Sequence, residues 1–260
     1  MTSSTQGNSL ERIPVPSPTV DIHIHSIASG HAFSTVEEIV AAAAERGLEG
    51  VAITDHGPAI PGGPHPYHFM ALRFIPEVMQ GVRVLRGVEA NILDEGKLDI
   101  GEDALEHLDI VLAGFHEGCG YTGTSVAENT RTLLQAMENP WVDIISHPGN
   151  PAYPLDYAAV VDQAMRTDTA LEINSSSFSI SRKNSAPNCL EIARLCAEKG
   201  APVAIGSDAH ISSGVGKFAH ALEALEQGGI LSAQVVNRNL AALVAFLQRM
   251  GCRPDLRVGA

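Results

Sequence analysis

Two imidazoles stand two residues apart in Asp21-Ile22-His23-Ile24-His25, and a carboxylate and an imidazole repeat that spacing in Asp208-Ala209-His210. Alternate side chains of an extended strand share a face, so each pair offers two metal-ligating groups to one side, with Ile22 and Ile24 expected on the other. Further groups of ligating type, His31, His56, Glu89, His116 and His147, stand singly along the chain. A lone histidine or carboxylate is ordinarily a core or surface group, so these five gain meaning only if the fold gathers them. Imidazole mixed with carboxylate suits zinc, manganese or iron, and a glutamate can bridge two ions roughly 3.5–4 Å apart.

The elements that would gather them are legible from Val20 onward. Short β-branched or apolar runs alternate with Ala- and Leu-rich stretches of helical period, the pattern of repeated βα units around a parallel sheet. Seven strands are expected, at 20–25, 50–56, 82–89, 108–116, 142–147, 170–174 and 203–210. Helices are expected near 36–46, 69–80, 125–138, 157–166, 188–199 and 218–227, with a closing helix over 232–250 stopped by Gly251 and Pro254. Almost every strand ends in histidine, glutamate or aspartate, as in Thr54-Asp55-His56, Gly114-Phe115-His116, Ile145-Ser146-His147 and Ser207-Asp208-Ala209-His210. Those groups would crowd the carboxyl rim of a parallel barrel, which is where such barrels carry their active sites. Seven strands in place of eight imply a distorted or incomplete barrel.

Composition bounds the rest. A chain of 260 residues supports one large α/β domain with a sizeable core, and no internal repeat argues for a second. No apolar run approaches the roughly 20 residues a membrane helix needs. Residues 1–19 are rich in Ser, Thr and Pro, without the basic start or apolar stretch of a signal peptide, and are expected to be a disordered lead-in to a cytoplasmic protein. Residues 252–260 are expected to be a short tail. Cys119, Cys189, Cys196 and Cys252 show no CxxC spacing, and reduced thiols are expected. The net charge of −13 opposes nucleic acid and other long polyanions unless a local positive site overrides it.

In order along the chain, Asp21-Ile22-His23-Ile24-His25 with His31, Ile53-Thr54-Asp55-His56-Gly57, Arg86-Gly87-Val88-Glu89, Gly114-Phe115-His116-Glu117, Ser146-His147-Pro148-Gly149-Asn150, Leu171-Glu172-Ile173-Asn174, Ser181-Arg182-Lys183 and Gly206-Ser207-Asp208-Ala209-His210 resemble the PHP (polymerase and histidinol phosphatase) superfamily. The nearest branch is the small stand-alone bacterial phosphatases with a trinuclear metal centre, and the resemblance spans about 20–251. It implies a distorted (β/α)7 TIM-like barrel holding three divalent ions, zinc in first place with manganese or iron as alternatives. His23, His25, Glu89 and Asp208 would hold the first ion, Glu89 with His116 and His147 the second, and His31, His56 and His210 the third. Three dications among seven neutral imidazoles and two carboxylates leave a formal charge of about +4, a pocket for a dianionic phosphate. A water bridging two ions would ionise near pH 7 and supply the nucleophile, with Glu89 and Asp208 as the catalytic carboxylates.

Arg182 and Lys183, after a Ser-rich turn, are expected to grip the substrate phosphate. Arg73 and His68 lie in a Pro-rich stretch after His56 that could cover the rim and touch substrate. Glu172 is placed to accept an N–H from a ligating histidine. His65, His107 and His220 are expected on the surface, Cys189 and Cys196 in the core, and Cys119 close to the rim. The expected activity is hydrolysis of a small phosphomonoester, with a phosphodiester, a nucleotide end or histidinol phosphate as alternative substrates and a non-catalytic metal-binding module as the rival class. The resemblance also makes a homo-oligomer an expectation.

Overall fold

The structure, a computed structural model, describes residues 15–179, 181–249, 251–253, 255 and 256. Most of the expected lead-in, residues 1–14, lies outside them. In chain order the elements are β1 (Val20–Ile24), α1 (Val36–Glu45), β2 (Gly50–Ile53), α2 (Tyr67–Ala71), β3 (Val78–Met79), β4 (Val82–Asn91), α3 (Glu102–Leu105), β5 (Ile110–Gly114), α4 (Val126–Met137), β6 (Ile144–Ile145), α5 (Tyr157–Thr167), β7 (Ala170–Asn174), α6 (Ala186–Lys199), β8 (Val203–Gly206), α7 (Ala219–Gly228) and α8 (Leu240–Gln248). Local chemistry explains several boundaries. Thr35 and Glu38 form a capping box at the start of α1, Asp156 caps α5, and Gly200 with φ 75° ends α6 in the left-handed region.

Seven strands pair in parallel in the order β1-β2-β4-β5-β6-β7-β8, the expected seven, while β3 adds a short antiparallel partner to β4. The result is a nearly closed barrel whose seam lies between β8 and β1. On the carboxyl side the seam is stitched by two main-chain bonds, Asp208 N to His23 O and His25 N to Ala209 O, each 2.9 Å. On the amino side an amide side chain bridges the gap. Asn237 Nδ2 donates to Val20 O (2.8 Å) and Ile205 O (2.7 Å), and its Oδ1 accepts from Ile205 N (3.0 Å).

That filling explains one departure from expectation. The segment 232–250 is not one helix. A 3-10 turn at Ser232–Gln234 leads to Val235, which bridges Val203, a turn and a bend follow, and the helix begins only at Leu240, capped by Asn239. The bridge through Val235 and the side chain of Asn237 close the gap between β8 and β1 there, in place of helix. The helix expected over 69–80 is likewise short: α2 ends at Ala71, one 3-10 turn follows, and Ile75 is extended, as the residue before Pro76 favours. Leu240, Leu243, Val244 and Leu247 of α8 close the barrel floor against Val20, Ile22, Leu85, Leu112 and Ala204, and Leu256 of the expected tail joins them.

β1 does not keep the simple alternation that its sequence suggests. Asp21 pairs with Val51 but Ile24 pairs with Ile53, so one extra residue is accommodated between them. Ile24 packs with Val51, Ile53 and α1, whereas Ile22 packs in the floor cluster with Ala52 and Leu85. A bulge of this kind shifts the strand's phase. It lets Ile22 fill the floor and still brings His23 and His25 together above it. Among the described residues no helix is long and apolar enough to cross a membrane.

Candidate metal centre

The carboxyl ends of β1, β2, β4, β5, β6 and β8 carry His23, His25, His56, Glu89, His116, His147, Asp208 and His210 onto one rim. Glu89, fully buried, is the hub. Its Oε2 lies 3.2 Å from His23 Nε2, 3.4 Å from His25 Nε2 and 3.0 Å from His56 Nδ1. Its Oε1 lies 3.1 Å from His116 Nε2 and 2.7 Å from His147 Nε2. Each oxygen thus faces its own set of imidazoles. Asp208 Oδ1 completes the ring at 3.3 Å from His25 Nε2, 3.6 Å from His23 Nε2 and 3.5 Å from His210 Nδ1. Three donor triplets have all their ligating atoms within 4.8 Å: His23, His25 and Glu89; His25, His56 and His210; and His56, Glu89 and His116. His31 belongs to none of these. It is exposed at the lip, with its ring 5.1 Å from that of His56 and 5.0 Å from that of His210.

The donor set fits divalent cations. His23 Nδ1 donates to Glu172 Oε1 at 2.8 Å, so Nε2 is the atom turned toward His25 Nε2, 3.1 Å away. His56 Nδ1 and Glu89 Oε2 are buried and close, yet neither makes a directed hydrogen bond. Electron pairs packed this tightly call for positive charge between them. Burial opposes a charge on His23, but Glu172, Glu89 and Asp208 outweigh it and hold its pKa well above the usual imidazole range. Burial and the neighbouring His56 push His25 down to about 3, and burial with the Arg182 charge pushes His147 down to about 4, which keeps both in the neutral form that ligates metals. Against their burial, Glu89 is held well below the carboxylate range by His23, His116 and His56, and Asp208 by Arg182 and His23.

Local backbone chemistry makes room for this crowding. A Cβ on Gly206 would fall 2.1 Å from Glu172 Oε1 and 2.6 Å from His23 Cβ, so only glycine admits the His23–Glu172 pair. His147 (φ 33°), Asp208 (φ 56°) and Arg182 (φ 50°) all sit in the left-handed region, a strain of order 1–3 kcal/mol each that collects at functional sites. Over the rim opens a cavity of about 980 Å³, lined by most of these donors together with Arg182, Lys217 and His220.

The PHP domain family model matches residues 21–147. The chain is 56% identical over 228 residues to a protein of Syntrophotalea carbinolica named Probable phosphatase, covering 88% of this chain and 95% of that one. The chain belongs to the PHP family. A Shewanella sediminis protein of the same name is 46% identical to this PHP chain over 233 residues, covering 89% and 94%. The histidinol phosphate phosphatase of Lactococcus lactis, solved with zinc, L-histidinol and phosphate, shares the fold at a TM-score of 0.61 and 17% identity, covering 83% of this chain and 95% of that one.

Within this PHP domain the substrate-binding expectations divide. Arg182 lines the cavity, its guanidinium bonded to Asp208 Oδ2 and, through Nε, to Ser177 Oγ at 3.3 Å. Lys183 lines an adjoining cavity of about 410 Å³ that reaches the same rim through His116 and His147. Arg73 is turned away, bonded to Met70 O and stacked over Phe74, because it sits on the exposed side of the turn after α2. His68 is bonded to Asp55, 3.2 Å away, and lines neither cavity. Glu172 accepts from His23, as expected, and also from His147 N at 2.8 Å. Two carboxylates escaped the sequence reading. Asp55 ties down His68, Ser26 and Ser29, bonds that outweigh its burial and lower its pKa to about 2. Asp99 accepts from Ala59 N and Asn91 N, pinning the chain after His56. Asp55 stood in plain view beside His56 as a potential acceptor; nothing near Asp99 marked it. His220, expected on the surface, is exposed but on the cavity wall.

Proposed function

We propose that this PHP domain is a metal-dependent phosphatase acting on a small phosphomonoester, with His23, His25, His31, His56, Glu89, His116, His147, Asp208 and His210 holding three divalent ions. The observation that carries the reading is Glu89, whose two oxygens face separate histidine sets 2.7–3.4 Å away, as a carboxylate shared between ions would. Zinc takes first place because seven imidazoles favour it and because the Lactococcus neighbour holds it. The names of the curated relatives support the phosphatase assignment.

Bound ions would neutralise the substrate phosphate and lower the pKa of an attacking water toward neutrality. The chain's own groups do the rest. Glu89 and Asp208 are the carboxylates in contact with the centre. Arg182, steadied by Asp208 and Ser177, has further N–H groups to offer phosphate oxygens. Glu172 holds the His23 ring and the His147 backbone in place. In the reaction, water oxygen bonds to phosphorus while the ester oxygen leaves with its bonding pair and takes up a proton. The cavity, about 980 Å³, accommodates a small metabolite.

The test is hydrolysis of one simple phosphomonoester and one phosphodiester by protein whose bound metals have been counted. The reading expects the monoester to be cleaved faster, with about three equivalents bound, and His23→Ala or Asp208→Ala to lose turnover while staying folded. Near wild-type turnover in either variant would overturn it, and faster diester cleavage would move the substrate class.

A further inference from the structure

Behind the rim, hydrogen-bond directions can be assigned atom by atom through a buried serine. Asp55 follows β2 and is 1% exposed, and its carboxylate accepts four hydrogen bonds. Ser26 N (2.8 Å) and Ser29 Oγ (2.7 Å) donate to Oδ1; Ser26 Oγ (2.8 Å) and His68 Nε2 (3.2 Å) donate to Oδ2. That fills the lone-pair sites a carboxylate possesses.

A hydroxyl has a single hydrogen, and Ser29 spends it on Asp55. Toward His25 Nδ1, 3.0 Å away, Ser29 Oγ can therefore only accept, and its other lone pair takes the His56 N–H at 3.2 Å. His25 must then carry its proton on Nδ1. Its Nε2 is left bare, and that is the atom facing His23 Nε2, Glu89 Oε2 and Asp208 Oδ1.

We propose that Ser29 and Asp55 are positioning residues for a divalent cation: they lock His25 into the tautomer whose Nε2 lone pair points into the centre, and His68 completes the set from α2. The inference rests on the metal-centre reading above. His68, a candidate for touching substrate, thereby acquires a different role. Neither Ser29 nor Asp55 would meet the substrate, since both are buried and line neither cavity. Partners of this kind set both the orientation and the tautomer of a ligating histidine, and losing one typically costs 10–100-fold in metal affinity.

The experiment pairs a spectroscopic readout with metal titration. In metal-free protein, ring ¹⁵N spectra should show His25 protonated at Nδ1. Ser29→Ala should keep the wild-type circular dichroism spectrum, weaken that preference, and bind zinc roughly 10–100-fold less tightly than wild type. Wild-type zinc affinity in Ser29→Ala, or a His25 proton found on Nε2 in the wild type, would overturn the positioning role while leaving the metal centre standing. A wild-type protein that binds no zinc, manganese or iron would instead remove the centre itself, and the positioning role with it.

Discussion

Glu172→Gln tests the support of the centre with almost no change of shape. Glu172 is buried, its Oε1 taking the His23 Nδ1 hydrogen at 2.8 Å and its Oε2 taking hydrogens from His147 N at 2.8 Å and Asn174 Nδ2 at 3.2 Å. Glutamine must replace one of those oxygens with an NH2 group. If the amide nitrogen occupies the Oε2 position, it meets two donors, and leaving both it and the His147 N–H unpaired costs roughly 2–6 kcal/mol at about 1–3 kcal/mol per buried group. If it occupies the Oε1 position, His23, held protonated by its carboxylate neighbours in the metal-free centre, need only give up its Nδ1 hydrogen and keep the one on Nε2. The second arrangement is the cheaper, so the fold should survive. Its consequence is a hydrogen on the very atom that faces Glu89 and His25. Metal affinity should then fall roughly 10–100-fold, about 1.4–2.8 kcal/mol, with activity recovering as metal is raised. Isothermal titration with zinc and thermal melting of the metal-free protein would measure the two quantities separately. Unchanged zinc affinity alongside a large fall in Tm would show that the amide takes the other orientation, and would refute the reasoning.

Other expectations follow from separate parts of the molecule. Arg182→Ala should raise KM for a phosphomonoester roughly tenfold or more, since hydrogen bonds to charged groups are worth about 1.5–3 kcal/mol, with Arg182→Lys intermediate; equal KM values at equal metal content would remove Arg182 from substrate binding. Burial, with Asp99 and Glu89 nearby, raises the Cys119 thiol to about 11, and burial raises Cys189 and Cys196 to about 12. At pH 8 a colorimetric thiol count should therefore find Cys252 alone reactive in native protein and all 4 cysteines after unfolding. Arg253 is 6% exposed and bonds Asp143, Leu108 O and Trp141 O beneath the barrel. Arg253→Ala should cost about 3 kcal/mol, the low end for a broken buried pair because Arg249 still faces Asp143, and lower Tm by roughly 6–12 °C in a calorimetric scan.

The seven strands and the convergence of eight of the nine proposed ligands were legible because two signals coincided: apolar runs of strand length, and a ligating residue at the end of six of the seven. Glu172 could be read because it alternates with Leu171 and Ile173 on a strand whose neighbours end in histidine. What could not be read depends on contacts distant in sequence. The phase shift in β1 arises from the demand that Ile22 fill the floor and His23 the rim, and nothing in Asp21-Ile22-His23-Ile24-His25 announces it. The irregular chain before α8 fills the gap that a seven-stranded wall leaves, a property of the closed barrel and not of residues 232–239. Arg73 is expected at the rim from its place in the Pro-rich segment after His56, and its position on the outer side of a short turn shows how little the segment alone says about direction.

The seam between β8 and β1 also dictates when the centre can come into being. Ser207 N donates to Asp21 Oδ1 across 186 residues, and Asn237 reaches back 217 residues to Val20 O. His23 and His25 come from the end of β1, but the aspartate and histidine that face them come only from the end of β8. Contacts so distant pay the largest loop-closure entropy and form late. A chain that has yet to pair β8 with β1 would thus hold seven of the nine proposed ligands and lack Asp208 and His210, so closure of the barrel and completion of the proposed centre are one event.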